Sequence, residues 1–209
     1  AGCTDVTTEP QSTVSAANIF SDPNSYRAFL AKLYGGLAVT GQQGPAGVPD
    51  IDGIDEGFSQ YVRGYWQLQE LPTDEVVIAW GDESLPELNT MAWGSANRFV
   101  TAFYYRVFYQ VALANEFLRE TTDEKLAARN VSSALRDQIA QYRGEARLLR
   151  ALSYWHGMDL FGSIPLVTEE TPLGIEPPDQ ATRQELYDFV VAEVTGVRDA
   201  LPPAGAAEY

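Results

Sequence analysis

The stretch Gly144-Glu-Ala-Arg-Leu-Leu-Arg-Ala-Leu-Ser-Tyr-Trp-His-Gly-Met-Asp-Leu-Phe-Gly-Ser-Ile-Pro-Leu-Val-Thr168 constrains the fold more than any other. Leu135, Ile139, Tyr142, Leu149 and Leu152 recur at helical spacing, so an amphipathic helix is expected to reach Phe161. Gly162-Ser-Ile-Pro165 then stops it, because proline cannot continue the hydrogen-bond ladder, and the chain leaves through an extended apolar exit. A helix with one apolar side has to bury that side, and the rest of the chain offers further helices for it.

Ser21-Asp22-Pro23 opens the first, with Ser21 or Asp22 as the cap and Pro23 in the first turn. Tyr26, Phe29, Leu30, Leu33, Tyr34 and Leu37 form its stripe, and Gly35-Gly36 weakens its end. A second helix is expected from about Glu56 to Glu70, bearing Phe58, Tyr61, Val62, Tyr65 and Leu68. A long third runs from about Asn97 to Glu120, with Val100, Phe103, Tyr104, Val107, Phe108, Val111 and Leu118 on its apolar side. Thr121-Thr-Asp-Glu124 reads as a capping box for the fourth helical region, in which Gly144 marks where a break or kink would fall. Thr182-Arg-Gln-Glu185 is a second capping box, followed by Leu186, Phe189, Val190, Val194, Val197 and Leu201 and ended by Pro202-Pro203.

Between these helices lie Gly41 to Gly53, rich in Gly, Pro and Gln, and Pro72 to Trp93, where Val76–Trp80 reads as a short strand or an extended loop. A loop-rich span of that length inside a compact domain is usually functional. The expected fold is all-α: antiparallel, tetratricopeptide-like helix pairs with one long irregular loop insertion. Residues 1–20 are a tether and residues 21–209 the helical domain.

Composition narrows the function. The chain has 209 residues, 45% of them hydrophobic, enough for one substantial core. No apolar run approaches the ~20 residues of a membrane-spanning helix. With 29 acidic against 14 basic residues the net charge is -15, which repels nucleic acid and anionic lipid. One cysteine rules out an internal disulfide, and one histidine excludes most His-rich zinc or iron sites. No Ser-His-Asp order, P-loop or dinucleotide fingerprint occurs, and nothing marks out the paired carboxylates of a glycosidase. Catalytic residues, cofactor and metal are all expected to be none.

The residue types from Gly144 to Thr168 closely resemble the signature of the SusD-like (RagB/SusD) family of outer-membrane nutrient-binding lipoproteins, and the resemblance extends from Cys3 to Leu201. It implies the amino-terminal part of a longer protein. It also implies a cell-surface protein that captures oligosaccharide without turnover and delivers it to a SusC-like TonB-dependent transporter. Some members take peptides instead. Ala1-Gly2-Cys3 matches the end of a bacterial lipobox, so Cys3 is the expected lipidation site and the outer membrane the expected location. Two readings compete with this one: a glycan hydrolase without a familiar motif, and a tetratricopeptide-type scaffold without a small ligand.

Gln69–Glu75 and Trp80–Glu83 resemble the family's early ligand-binding loop. Asp74 and Glu75 are acceptors for sugar hydroxyls, and Trp80 offers a flat face to a pyranose. By the same comparison Trp93 and Asn97 stand where a stacking ring and a hydrogen-bonding amide are expected. For Trp80 and Trp93, beside Gly and acidic residues, binding and packing weigh equally. Trp66 and Trp155 lie on helical stripes and are expected in the core. Asp50-Ile-Asp52-Gly53-Ile-Asp55-Glu56 has the ingredients of a calcium loop but not EF-hand spacing, so it reads as an acidic turn whose Asp55 caps the second helix. Glu145, Arg147 and Arg150 suit ion pairs between helices. His156 reads as a packed histidine, not a base.

Overall fold

The computed structural model describes residues 19–40, 49–172, 174, 178–203 and 205. Cys3 and most of the Gly41–Gly53 loop lie outside the described residues. Seven α-helices are present among those described: α1 (Asn24–Gly35), α2 (Tyr61–Glu70), α3 (Pro86–Thr90), α4 (Arg98–Glu120), α5 (Asp123–Ala128), α6 (Ser133–Phe161) and α7 (Arg183–Val197). None of them is long and apolar enough to cross a membrane.

The two longest helices, α4 and α6, pack along each other; α7 covers another side of α6, and α1 and α2 close over α4. Leu30 and Leu33 of α1, Phe117 and Leu118 of α4 and Ile139 and Leu149 of α6 share one apolar cluster. Val111, Tyr154, Met158, Ile164 and Leu186 make another, which joins α4, α6 and α7. Gly157 is what allows α6 so close to its neighbours: a Cβ there would stand 2.6 Å from Ile164 and 3.2 Å from Val107. After Phe161, Gly162 takes a positive φ of 74°, and the extended exit forms β1 (Ile164–Pro165), paired antiparallel with β2 (Gln180–Ala181). This is the expected helix stop and exit, and the fold is the expected all-α one.

Charge is also buried between the helices. The Arg150 guanidinium, 2% exposed, donates to Glu193 Oε2 at 2.7 Å and Asn115 Oδ1 at 2.6 Å and pairs with Glu169. Arg147 meets the other Glu193 oxygen at 2.6 Å, and Tyr34 donates to Glu145 at 2.6 Å. Although burial opposes it, pairing with Glu169 and Glu193 raises the Arg150 pKa. The expected interhelical pairing is present, and it ties α6 to α4, α7 and α1.

Several boundaries differ from the sequence reading. The second helix does not begin at Glu56: Glu56–Phe58 is a separate 3-10 turn, capped by Asp55 Oδ1 on the Gly57 amide at 2.8 Å, and α2 starts at Tyr61. The first capping box is displaced by one residue. Thr122 caps α5 through the Lys125 amide, while the Thr121 hydroxyl turns back to the Phe117 carbonyl at 2.6 Å. Asn130, with a positive φ of 54°, divides the expected fourth helix into α5 and α6, so the break falls there and not at Gly144. Gly144 stays helical and buried, and a Cβ there would come within 3.7 Å of Leu201. Pro23 itself occupies the α1 cap position, without a side-chain cap, and Asp22 accepts from the Asn24 amide at 2.9 Å. The Thr182–Glu185 box forms as expected.

Candidate ligand-binding site

The irregular span from Leu71 to Asn97 is held in place from below. Leu71, Leu85 and Leu88 are buried with Ile51, Ile54 and Phe99, and α3 exists because Pro86 suits a first turn while Leu88 faces this cluster. The sequence reading missed α3: one five-residue turn leaves no periodic signal. Val76–Trp80 forms no strand and has no regular secondary structure.

Two asparagines fasten the span. Asn89 Nδ2 donates to the carbonyls of Leu71 (2.8 Å) and Val76 (3.1 Å). Asn97 caps α4, its Oδ1 accepting from the amides of Phe99 (3.0 Å) and Val100 (3.2 Å). Its Nδ2 donates to the Ser84 carbonyl (2.7 Å) and Glu87 Oε2 (2.8 Å), and the residue is 2% exposed. Both ends of this amide are therefore engaged inside the protein. Ser84 and Met91 adopt positive φ values of 69° and 54°, the left-handed conformation that residues other than glycine seldom take.

The other expected site residues are at the surface, in different surroundings. Asp74 and Glu75 are exposed on the turn after α2, where Thr73 donates to the Glu70 carbonyl and accepts from the Glu75 amide. Trp80 is 56% exposed, edge-on to Phe58 with centroids 6.2 Å apart. The Arg63 guanidinium sits 4.5 Å from the Phe58 ring and 5.6 Å from the Trp80 ring. Trp93 is 39% exposed on the wall of a cleft of about 430 Å³ lined also by Leu68, Pro72, Val100, Leu160 and Phe161. The structure thus places one indole in a cleft and the other on a neighbouring aromatic and cationic support. The cleft's lining from α2 and α6 was not read from the sequence, where Leu68 looks like an ordinary stripe residue and Phe161 marks only the end of a helix.

Trp66 and Trp155 correct the sequence reading. They are 44% and 51% exposed, not core. Their stripes are helical, but the sides they occupy face away from α4. His156, in contrast, is packed as expected. Its Nδ1 lies 3.0 Å from the Tyr61 hydroxyl, and its ring stacks on Tyr65 at 3.9 Å. Burial pushes its pKa down to about 4 against the opposing pull of Asp159, so it is neutral at pH 7 and shares one hydrogen bond with Tyr61 through Nδ1. Asp50 is committed to Arg106, with both carboxylate oxygens on the buried guanidinium at 2.6 and 3.0 Å. Among the described residues no three His, Cys, Asp or Glu side chains converge as a metal site.

No family model matches the chain. The starch-binding protein SusD of Bacteroides thetaiotaomicron is 34% identical over 169 residues, covering 80% of this chain and 28% of the relative. The chain belongs to the SusD-like family. Solved structures share the fold. A SusD-like protein from Bacteroides fragilis superposes with a TM-score of 0.63 at 18% identity, over 90% of this chain and 31% of its own. A SusD superfamily protein from Bacteroides vulgatus gives 0.62 at 14% identity, over 87% and 35%. A SusD-like carbohydrate-binding protein from Bacteroides fragilis gives 0.59 at 17%, over 91% and 34%. The SusD-like chain described here therefore spans about a third or less of the length of each of these relatives.

Proposed function

We propose that this chain is the amino-terminal, ligand-contacting part of a carbohydrate-binding SusD-like protein. It binds oligosaccharide by stacking and hydroxyl hydrogen bonds, without cleaving it. The observation that carries this reading is the exposure of Trp80 and Trp93 on a span that buried leucines and Asn97 hold still. An indole already fixed in the open presents a ring face with little ordering cost, and a saccharide site requires little more than one or two such faces and a few directional polar groups. Trp93 and its cleft supply the apolar floor. Trp80, backed by Phe58, supplies a second face, and Asp74 and Glu75 supply acceptors for hydroxyl groups. Asn97 acts here as a positioning residue, because its amide aligns the Ser84–Glu87 turn with the start of α4. The 34% identical relative is named as starch-binding, which favours α-glucans as the first ligands to try.

The same reading places the protein on the cell surface at the outer membrane, lipid-anchored through Cys3, and handing its ligand to a SusC-like TonB-dependent transporter.

Titration of maltoheptaose and a glycan array tests binding. Saturable binding that weakens at least several-fold in both Trp80→Ala and Trp93→Ala, with no new reducing ends on prolonged incubation, is the expected result. Unchanged affinity in both variants removes the site; release of reducing ends replaces the binding protein with a hydrolase.

A further inference from the structure

A separate cleft of about 440 Å³ opens between α4 and the turn at Asp50–Asp52, and it shares no lining residue with the Trp93 cleft. Tyr105, Phe108 and Tyr109 form its helical wall, being neighbours on one face of α4 at spacings of three and four. Tyr105 is 55% exposed, while Phe108 and Tyr109 are half-buried behind it.

Both walls are fixed in place. The turn is clamped to α4 on either side of Asp52. Asp50 is held by the buried Arg106 guanidinium, and Arg98 donates to the Gly53 carbonyl from Nε at 2.9 Å and from Nη2 at 2.7 Å. Ile51 and Ile54 anchor the same turn in the cluster that holds Leu71 and Leu88. Across the cleft, Tyr104 stands edge-on to Tyr105 with centroids 6.0 Å apart, and the Arg106 guanidinium lies 5.5 Å from the Tyr109 ring. A ligand entering here meets groups already in position, so little ordering cost opposes it. The volume is within the ordinary range of small-molecule sites.

The lining selects the ligand by charge and shape. None of the lining residues is basic, and Arg106 is turned inward to Asp50 and the Ser59 carbonyl, so a phosphate, sulfate or uronate finds no counter-ion. Asp52 is exposed, and no described residue pairs with its carboxylate. A purely apolar ligand would cover that charge without satisfying it. A pyranose suits both features: its C–H side lies on the aromatic wall, and its hydroxyls donate to Asp52. A protonated amine is the competing chemistry, since aromatic faces and a carboxylate also attract cations. Its attraction to Asp52 is weakened by solvent at the exposed rim, whereas the half-buried aromatic floor rewards a ring with a C–H face.

We propose that the Asp52–Tyr105 cleft is a second saccharide site, which takes a neutral oligosaccharide independently of Trp80 and Trp93. The choice of saccharide rests on the binding function proposed above. Two sites on one frame let a long glycan engage both, and the second contact is then made at a high effective concentration.

The test uses the protein as its native host makes it. Tyrosine nitration by tetranitromethane is mapped by peptide mass spectrometry, with Tyr187, 54% exposed on α7, as the internal control. The probes are maltoheptaose, cellohexaose and mannohexaose, with fully deacetylated chitosan hexamer as the amine. At least one neutral sugar should slow nitration of Tyr105 several-fold and leave Tyr187 unchanged. That protection should persist in a Trp80→Ala/Trp93→Ala double variant and disappear in Asp52→Ala, whose melting temperature should match the parent. Nitration of Tyr105 unaffected by all the neutral sugars overturns this site, and if affinity still falls in the Trp80 and Trp93 variants, the first site stands without it. Protection of Tyr105 together with unchanged affinity in those variants removes the first site and keeps the second. Protection lost in the double Trp variant, protection by the amine alone, or a Tyr105 that resists nitration without sugar also overturns the proposal.

Discussion

The bundle formed by α4, α6 and α7 and the span from Leu71 to Asn97 hold themselves together in opposite ways. In the bundle, long helices bury continuous stripes, and the buried cation among them is paired, Arg150 with Glu193 of α7 and with Glu169 beyond β1. The span has one short helix, no strand, and a few buried leucines beneath a surface of exposed Trp, Asp and Glu. Its shape depends on side-chain amides bonding to the backbone, at Asn89 and Asn97. The comparison teaches where each kind of interaction is used. Where many contacts overlap, a single polar group is one term among many; where backbone has no ladder, one amide decides the conformation. That is how a rigid surface can be made from a loop and still present its aromatic rings to solvent.

The largest effect that would break this contrast lies in the bundle. Arg150→Leu leaves Glu193 and Glu169 short of a buried partner, and removing one member of a buried pair costs about 3–5 kcal/mol. Urea denaturation should show that loss. A loss within ~0.5 kcal/mol, the scale of ordinary surface substitutions, would mean the network is no more than decoration.

Asn97→Ala comes next. It deletes an α4 cap, worth about 0.5–2 kcal/mol, and also frees the Ser84–Glu87 turn. Hydrogen exchange should rise across residues 84–97 and not in α6. Exchange that rises evenly through the molecule would show that Asn97 does not act locally.

His156 sharpens the comparison through pH. Its folded pKa, about 4, is below its ordinary value of 6.5, so the unfolded chain binds the extra proton first. Its contribution is complete above pH 6.5 and declines as pH falls toward 4. The carboxylates Glu120 and Glu169, whose pKa values are lowered in the fold, lose stability only further down, below their ordinary 4.5. His156→Gln should therefore flatten stability between pH 6.5 and 4.5 and leave the fall below that range intact. An unchanged slope in calorimetry across the upper range would place its cause elsewhere.

Trp80→Ala and Trp93→Ala should have the smallest effect on stability, within ~0.5 kcal/mol of the parent, as exposed side chains do. A loss above ~2 kcal/mol would make them packing residues, contrary to the site proposed for them.

Sequence alone determined the long helices and the cap of α7, because a 3.6-residue period and a Thr-x-x-Glu box are local: Thr182–Glu185, the Gly162 stop and α4 are all where the residues say. It also carried the charge pairing of Arg147 and Arg150, the second of which is buried and needs its partners. Tertiary structure decided the rest. Whether Gly144 breaks a helix or admits α7 depends on what lies against it, and Leu201 lies there. Whether an indole is core or surface depends on which side of its helix a neighbour covers. For that reason Trp66 and Trp155 read as buried and are exposed, while Leu68 reads as an ordinary stripe residue and lines a cleft. Periodicity identifies a helix's apolar side, but only the packed neighbours settle how much of that side meets water.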